Sequence, residues 1–155
     1  MPAVAGRPCS LAAALQVIGE KWSLLVVREL TYGVHRFDDL ARNTGAPRDV
    51  LTTRLRSLEA AGVIERRQYE EHPPRYEYRL TRAGEELRPI LVGITQWGDR
   101  WAVETPPVAF GHACGAALTL EHRCAACGET VTGRDLTPRI ADPGWSISGP
   151  TSAPS

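Results

Sequence analysis

Arg36-Phe-Asp-Asp-Leu-Ala-Arg-Asn-Thr-Gly-Ala-Pro-Arg-Asp-Val-Leu-Thr-Thr-Arg-Leu-Arg-Ser-Leu-Glu-Ala-Ala-Gly-Val-Ile64, continuing Glu65-Arg-Arg-Gln-Tyr-Glu-Glu-His-Pro-Pro-Arg-Tyr-Glu-Tyr-Arg-Leu80, is the stretch that decides the fold. Phe37 to Asn43 reads as a short helix, and Gly45 supplies a turn. Pro47 has no backbone N–H to satisfy, so it suits the first turn of a second helix running to about Ala61. Within that helix Leu51, Leu55 and Leu58 recur at i, i+4 and i+7, which makes one apolar face. Gly62 stops the helix and the period changes. Val63 to Tyr69 and Tyr76 to Leu80 read as strands, with Pro73-Pro74 at the tip between them. Helix, turn, helix and hairpin in that order form a helix-turn-helix with a two-stranded wing. The order sets one exposed helix beside an Arg-bearing hairpin tip, a surface that fits a DNA major groove and its neighbouring backbone.

The face of the second helix opposite the leucines holds Asp49, Thr53, Arg56 and Ser57, with Arg48 and Thr52 at its margins. Hydroxyls and guanidinium groups reach base edges, and Arg also anchors phosphates. Arg48, Asp49, Thr52, Thr53, Arg54, Arg56 and Ser57 are therefore candidate DNA-binding residues. Arg75 at the wing tip is a candidate for the minor groove or an adjacent phosphate. The plainer alternatives are a solvated helix face and a turn Arg in solvent.

Both flanks are helical. Leu11, Leu15, Ile18, Trp22 and Leu25 lie at helical spacing over residues 10–32. Gly19 interrupts them, and Ser23 is placed to cap a second helix that runs to Leu30. A long helix is expected from Thr81, carrying Leu87, Leu91, Ile94, Trp97 and Trp101, with Pro89 in its first turns or at a kink. That face is wide and aromatic, so a second copy of the chain packed on it would bury it. The alternative is packing on its own domain.

The 155 residues suffice for one ordinary domain and a small appendage, and a hydrophobic content of 43% supports a real core. Lys+Arg and Asp+Glu are equal at 18 each, so net charge is zero and favours no polyanion. No apolar run is long enough to span a membrane. The N-terminus lacks a signal-peptide pattern, so a cytoplasmic location is expected. No phosphate loop, nucleophile elbow or metalloprotease motif is present, and the adjacent carboxylate pairs do not converge; no enzyme is expected.

Four cysteines in a chain of this kind point to metal or redox chemistry. Cys114, Cys124 and Cys127 fall in two knuckle-like turns, His112-Ala-Cys-Gly and Cys124-Ala-Ala-Cys-Gly. Together His112, Cys114, Cys124 and Cys127 make a candidate structural Zn site, with His122 as rival fourth ligand. Alternatives are a redox-active Cys124/Cys127 pair, which a thiol-dependent enzyme would need, and unligated thiols. Cys9 stands apart, near the start of the first helix, where a helix N-terminus lowers a thiol pKa; it is a candidate redox sensor or a small interface residue.

The sequence resembles the HxlR-type, MarR-related winged helix-turn-helix transcriptional regulators. The matching pieces are Cys9-Ser-Leu, Val17-Ile-Gly-Glu-Lys-Trp-Ser-Leu-Leu-Val, Arg36-Phe-Asp-Asp-Leu, Leu51-Thr-Thr-Arg-Leu-Arg-Ser-Leu-Glu-Ala-Ala-Gly-Val-Ile-Glu-Arg, Pro73-Pro-Arg-Tyr-Glu-Tyr-Arg-Leu-Thr and Gln96-Trp-Gly-Asp-Arg-Trp. They span about residues 9–103. The resemblance implies a homodimer built from the N-terminal and post-wing helices, with Leu11, Leu15, Leu87, Leu91, Ile94, Trp97 and Trp101 at the interface. It implies a palindromic operator in double-stranded DNA, and some relatives sense oxidants or electrophiles through a cysteine placed like Cys9. Ala46-Pro47 departs from the usual Ser-like helix start, and Cys9-Ser10 replaces a common Cys-Pro.

The expected fold is mainly α with a small β-wing: a winged helix-turn-helix domain with N- and C-terminal dimerisation helices and a zinc-ribbon-like appendage. Residues 9–104 form the DNA-binding and dimerisation domain, 105–111 a linker, 112–140 the Cys-rich segment and 141–155 a disordered tail. The expected function is a dimeric sequence-specific regulator, a repressor responsive to a thiol oxidant or small effector. The alternative is a winged-helix protein-interaction module whose zinc-stabilised segment is the docking surface.

Overall fold

The computed structural model describes residues 6–151, so the expectations for the first five residues and for 152–155 fall outside it. The described residues divide into two compact units. One is Ala14–Pro106; the other combines residues 6–13 with 107–151. Cys9 and Leu11 thus group with the Cys-rich segment.

In the larger unit α1 (Ser10–Ile18, begun in the other unit) is followed by α2 (Lys21–Thr31), with the break at Gly19-Glu20. Ser23 is not the cap of α2. Glu20 holds that position, and its carbonyl accepts from Ser23 N–H at 2.9 Å. Because α2 starts at Lys21, Ser23 shares a face with Val26, Val27 and Leu30 and is fully buried. Its hydroxyl is the buried side-chain group without a hydrogen-bond partner among the described residues.

α3 (Phe37–Thr44) ends on Gly45 at φ 71°, a left-handed cap that a side chain would strain. α4 (Arg48–Ala60) follows with Pro47 at its N-cap. β1 (Ile64–Glu71) and β2 (Pro74–Leu80) pair antiparallel from Ile64↔Leu80 to Glu71↔Pro74. The strands are longer than expected, because pairing continues to the two-residue His72-Pro73 turn. One extra residue, Tyr69, bulges from β1 between Gln68 and Glu70.

The single helix expected from Thr81 is two, α5 (Arg82–Glu85) and α6 (Arg88–Trp101). Thr81 caps α5 by accepting from Gly84 N–H at 3.3 Å, and its hydroxyl donates to the Gly62 carbonyl at 2.6 Å. Pro89 has no N–H to give a preceding turn, so it can stand only in the first turn of a new helix.

Three leucines of α4 (Leu51, Leu55, Leu58) meet Val26, Val27 and Leu30 of α2, Leu40 of α3, and Val63 and Ile64 at the start of the wing. Leu87 and Leu91 pack against this core. Both are half-buried, Leu87 at the N-cap of α6 and Leu91 in its first turn. The outward side carries Ile90, Ile94, Trp97 and Trp101, exposed by 52, 49, 64 and 70%. These are spaced by four, three and four residues, one stripe of the helix. Leu11 and Leu15 of α1 are also exposed.

Glu29 of α2 is only 4% exposed. Its carboxylate accepts from Arg28 at 2.9 and 2.7 Å and from the Asn43 amide at 2.9 Å, tying α2 to the end of α3. The wing is tied in too. Tyr78 N–H donates to the His35 carbonyl at 2.9 Å, and Arg36 bridges to Glu77, so the link between α2 and α3 adds a short third edge to the hairpin.

In the smaller unit β3 (Trp145–Ser146) and β4 (Gly149–Pro150) form a hairpin. This hairpin lies within the segment expected as a tail. Thr151 N–H bonds to the Gly144 carbonyl and Ser146 Oγ to the Gly149 carbonyl, which gives the chain ends of the hairpin local partners.

Candidate nucleic-acid interface

With its leucines committed to the core, α4 turns Arg48, Asp49, Thr53, Arg56 and Ser57 to the exterior, while Thr52 and Arg54 are half-buried. The expected reading residues therefore lie together on one helix. The hydroxyls of Thr52, Thr53 and Ser57 donate back to the carbonyls of Arg48, Asp49 and Thr53, at 2.8, 3.0 and 3.0 Å. Such a hydroxyl offers its oxygen lone pairs outward as acceptors and can donate only by giving up the helix bond. Arg48 stacks on the Phe37 ring, 4.7 Å from its centroid, and donates to Asp38 at 2.8 Å. These two contacts fix the start of α4 against the start of α3.

The wing supplies the second part of the surface. Arg75 lies at its tip and pairs with Glu70 at 3.2 Å. Arg66 lies 3.5 Å from the centroid of the Tyr76 ring, its diagonal cross-strand neighbour, and Arg36 stacks on the bulged Tyr69 at 5.1 Å. Arg36, Phe37, Asp38, Asp39, Tyr69, Arg75 and Tyr76 line a groove of about 540 Å³ between the start of α3 and the wing. Arg36, Arg66 and the two tyrosines were missed at the sequence level. The alternation of the strands would have paired Arg66 with Tyr76, but the bulge that turns Tyr69 toward Arg36 leaves no local signal.

The surface is electrostatically mixed, consistent with a net charge of zero. Arg79 hydrogen-bonds Glu77 at 2.9 Å and holds its carboxyl below the usual range. Arg48 and Arg75 likewise have carboxylate partners, Asp38 and Glu70, whose side chains are 78% and 42% exposed. Such exposed pairs contribute at most about 1 kcal/mol, so phosphate can displace the carboxylate.

The cysteines are free thiols. His112 Nδ1 lies 3.1 Å from Cys114 Sγ. At the second turn, the backbone amides of Cys127 and Ala126, together with the Cys127 thiol, hydrogen-bond Cys124 and lower its pKa. The four expected ligands thus stand as two pairs. Among the described residues no group of three or more His, Cys, Asp or Glu is gathered around a metal position. His122 is exposed, and its carbonyl accepts from Val131 N–H. Cys9 is exposed, and its carbonyl accepts the first bond of α1, from Ala13 N–H at 3.1 Å.

Comparison with known proteins identifies the class. The HxlR-like helix-turn-helix family model matches residues 17–106. A relative from Mycobacterium tuberculosis named as an uncharacterized HTH-type transcriptional regulator is 44% identical over 132 residues, 83% of this chain and 84% of its own. Another HTH-type transcriptional regulator, YkvN of Bacillus subtilis, is 39% identical over 61% of this chain and 80% of its own. Among solved structures, that of PA1607 superposes with a TM-score of 0.76 at 32% identity, covering 84% of this chain and 94% of that one. The redox regulator HypR in its oxidized form superposes at 0.55 and 34% identity, covering 59% and 96%. The chain belongs to the HxlR-like helix-turn-helix family of DNA-binding transcriptional regulators, which are not enzymes. No single described helix is long and apolar enough to cross a membrane.

Proposed function

We propose that the protein is a homodimeric repressor that reads a palindromic operator with α4 in the major groove and the wing on the flanking backbone. The observation that carries this reading is the division of labour on α4: Leu51, Leu55 and Leu58 are fixed in the core while Arg56, Thr53, Ser57 and Asp49 face outward. Arg56 is assigned to a base edge. Arg36, Arg66 and Arg75 are assigned to phosphates along the groove beside the wing. The exposed stripe Ile90, Ile94, Trp97 and Trp101 is assigned to the second copy, because an apolar patch of that size seeks cover. A two-fold pair would set the reading helices about 34 Å apart, one turn of DNA.

Oxidant sensing is assigned to Cys9, an exposed thiol at the start of α1. A peroxide would convert its thiolate to sulfenic acid and release hydroxide. A small change in the angle between the two reading helices then suffices to prevent both half-sites from being engaged together.

Selection of duplexes from a random library by the reduced, full-length protein tests the reading. Enrichment of an inverted repeat with half-sites one turn apart supports it. A folded dimer that enriches no sequence, yet captures a protein with little dependence on salt, would replace it with the interaction-module reading.

A further inference from the structure

The exterior of α4 is sorted by what each side chain can offer a base. The hydroxyls of Thr53 and Ser57 give their protons to the carbonyls of Asp49 and Thr53, at 3.0 Å each, so outward they act as acceptors. Asp49 is exposed and, as a carboxylate, can only accept. On the donor side, Arg48 is held over the Phe37 ring and 2.8 Å from Asp38, and Arg54 is half-buried. Arg56 is exposed. Among the described residues neither the Asp49 carboxylate nor the Arg56 guanidinium has an ion-pair or hydrogen-bond partner. The face therefore presents an uncommitted anion and an uncommitted cation, with hydroxyl acceptors beside them.

These two residues lie seven positions apart. Two turns of helix take about 7.2 residues, so both project from nearly the same side. At about 1.5 Å per residue they are separated by about 10.5 Å along the axis. Base pairs repeat at about 3.4 Å, so a helix lying along the major groove sets them over pairs about three steps apart.

The groove edges of the bases then select partners. Guanine shows two acceptors, O6 and N7, which one guanidinium meets with two N–H groups. Cytosine shows an amino donor with only C–H on its outer side. The adenine amino group instead lies between two acceptors, its own N7 and thymine O4, and both repel a carboxylate. Given the assignment of α4 to the major groove, on which this rests, we propose that each operator half-site carries two G·C pairs about three base pairs apart. The cytosine amino group of one donates to Asp49, and the guanine O6 and N7 of the other accept from Arg56. Asp49 is thus a specificity-determining residue. An asparagine there would pair an amide donor and acceptor with adenine N7 and N6, so Asp49→Asn should change the preferred base from C to A. Arg56→Gln should change G to A at the other position by the same chemistry.

The test takes the duplex selected by the reduced full-length chain and places each of the four bases at every half-site position, with affinity read by fluorescence anisotropy. The unaltered chain should prefer G at the Arg56 position by roughly 5- to 150-fold, and C at a position about three pairs away. Asp49→Asn should switch the second position alone and Arg56→Gln the first alone, with thermal unfolding unchanged in both. An enriched inverted repeat without the two spaced G·C pairs would overturn the inference while leaving the DNA-reading function standing. So would an Asp49→Asn chain that keeps the original preference at every position. Enrichment of no sequence would overturn the DNA-reading function itself, and the base assignment with it.

Discussion

Leu51 and Leu118 are the same residue in opposite settings. Leu51 is fully buried beneath α4, whereas Leu118 lies half-covered beside the first knuckle turn. The winged unit is held by a shared apolar core, and its polar surface is left free for recognition. The Cys-rich unit has backbone bonds within each turn but no interior. The difference shows that short hydrogen-bonded turns can be specified without a core, while presenting a rigid helix to a partner needs one. α4 can point Arg56 outward only because three leucines hold its other side.

The largest expected effect is on that core. Leu51→Ala should cost about 2–5 kcal/mol in thermal or denaturant unfolding of the winged unit. Leu118→Ala should cost less than about 1 kcal/mol by the same measurement. Equal losses would break the comparison and reveal an interior in the appendage.

Glu29→Ala should come next, at about 1–3 kcal/mol, because it strips the acceptor from Arg28 and from the Asn43 amide that ties α2 to α3. Glu29→Gln keeps an acceptor oxygen and should cost less. If both variants unfold like the original chain, the tie between the helices is not a stabilising feature.

The interface substitutions should leave unfolding unchanged and sharpen the division within the winged unit. Arg56→Ala should weaken operator binding by about 1–3 kcal/mol and relax preference at one base pair, measured by fluorescence anisotropy on a set of single-substitution duplexes. Arg75→Ala should weaken all duplexes alike and reduce the slope of log affinity against log salt by about one. The reverse pattern would exchange the roles of helix and wing.

Much of this was legible because it is local. The i, i+4, i+7 spacing of Leu51, Leu55 and Leu58 defines a face whatever the helix packs on. Gly45 and Gly62 mark turns through their own backbone preferences, and Pro73-Pro74 marks the wing tip. The same local logic placed Arg48 to Ser57 on the candidate reading face. It did not give direction. Leu87, Leu91, Ile94, Trp97 and Trp101 look like one stripe along a single helix, but the chain breaks before Arg88, and the exposed stripe begins instead at Ile90. Ser23 looked like a cap because a serine beside an apolar run often is one; the start of α2 at Lys21 put it inside.

By itself the sequence determined which residues alternate between core and solvent, where the helices and hairpin stop, and which side chains are chemically able to read DNA or ligate a metal. These follow from side-chain volume, polarity and backbone preference, which act over a few residues. Only the tertiary structure decided that α6 turns Leu91 inward and its tryptophans outward, that Arg36 joins the wing through the bulged Tyr69, and that Glu29 is buried between two helices. Those outcomes depend on the relative placement of segments far apart in the chain, which packing sets and no local pattern encodes.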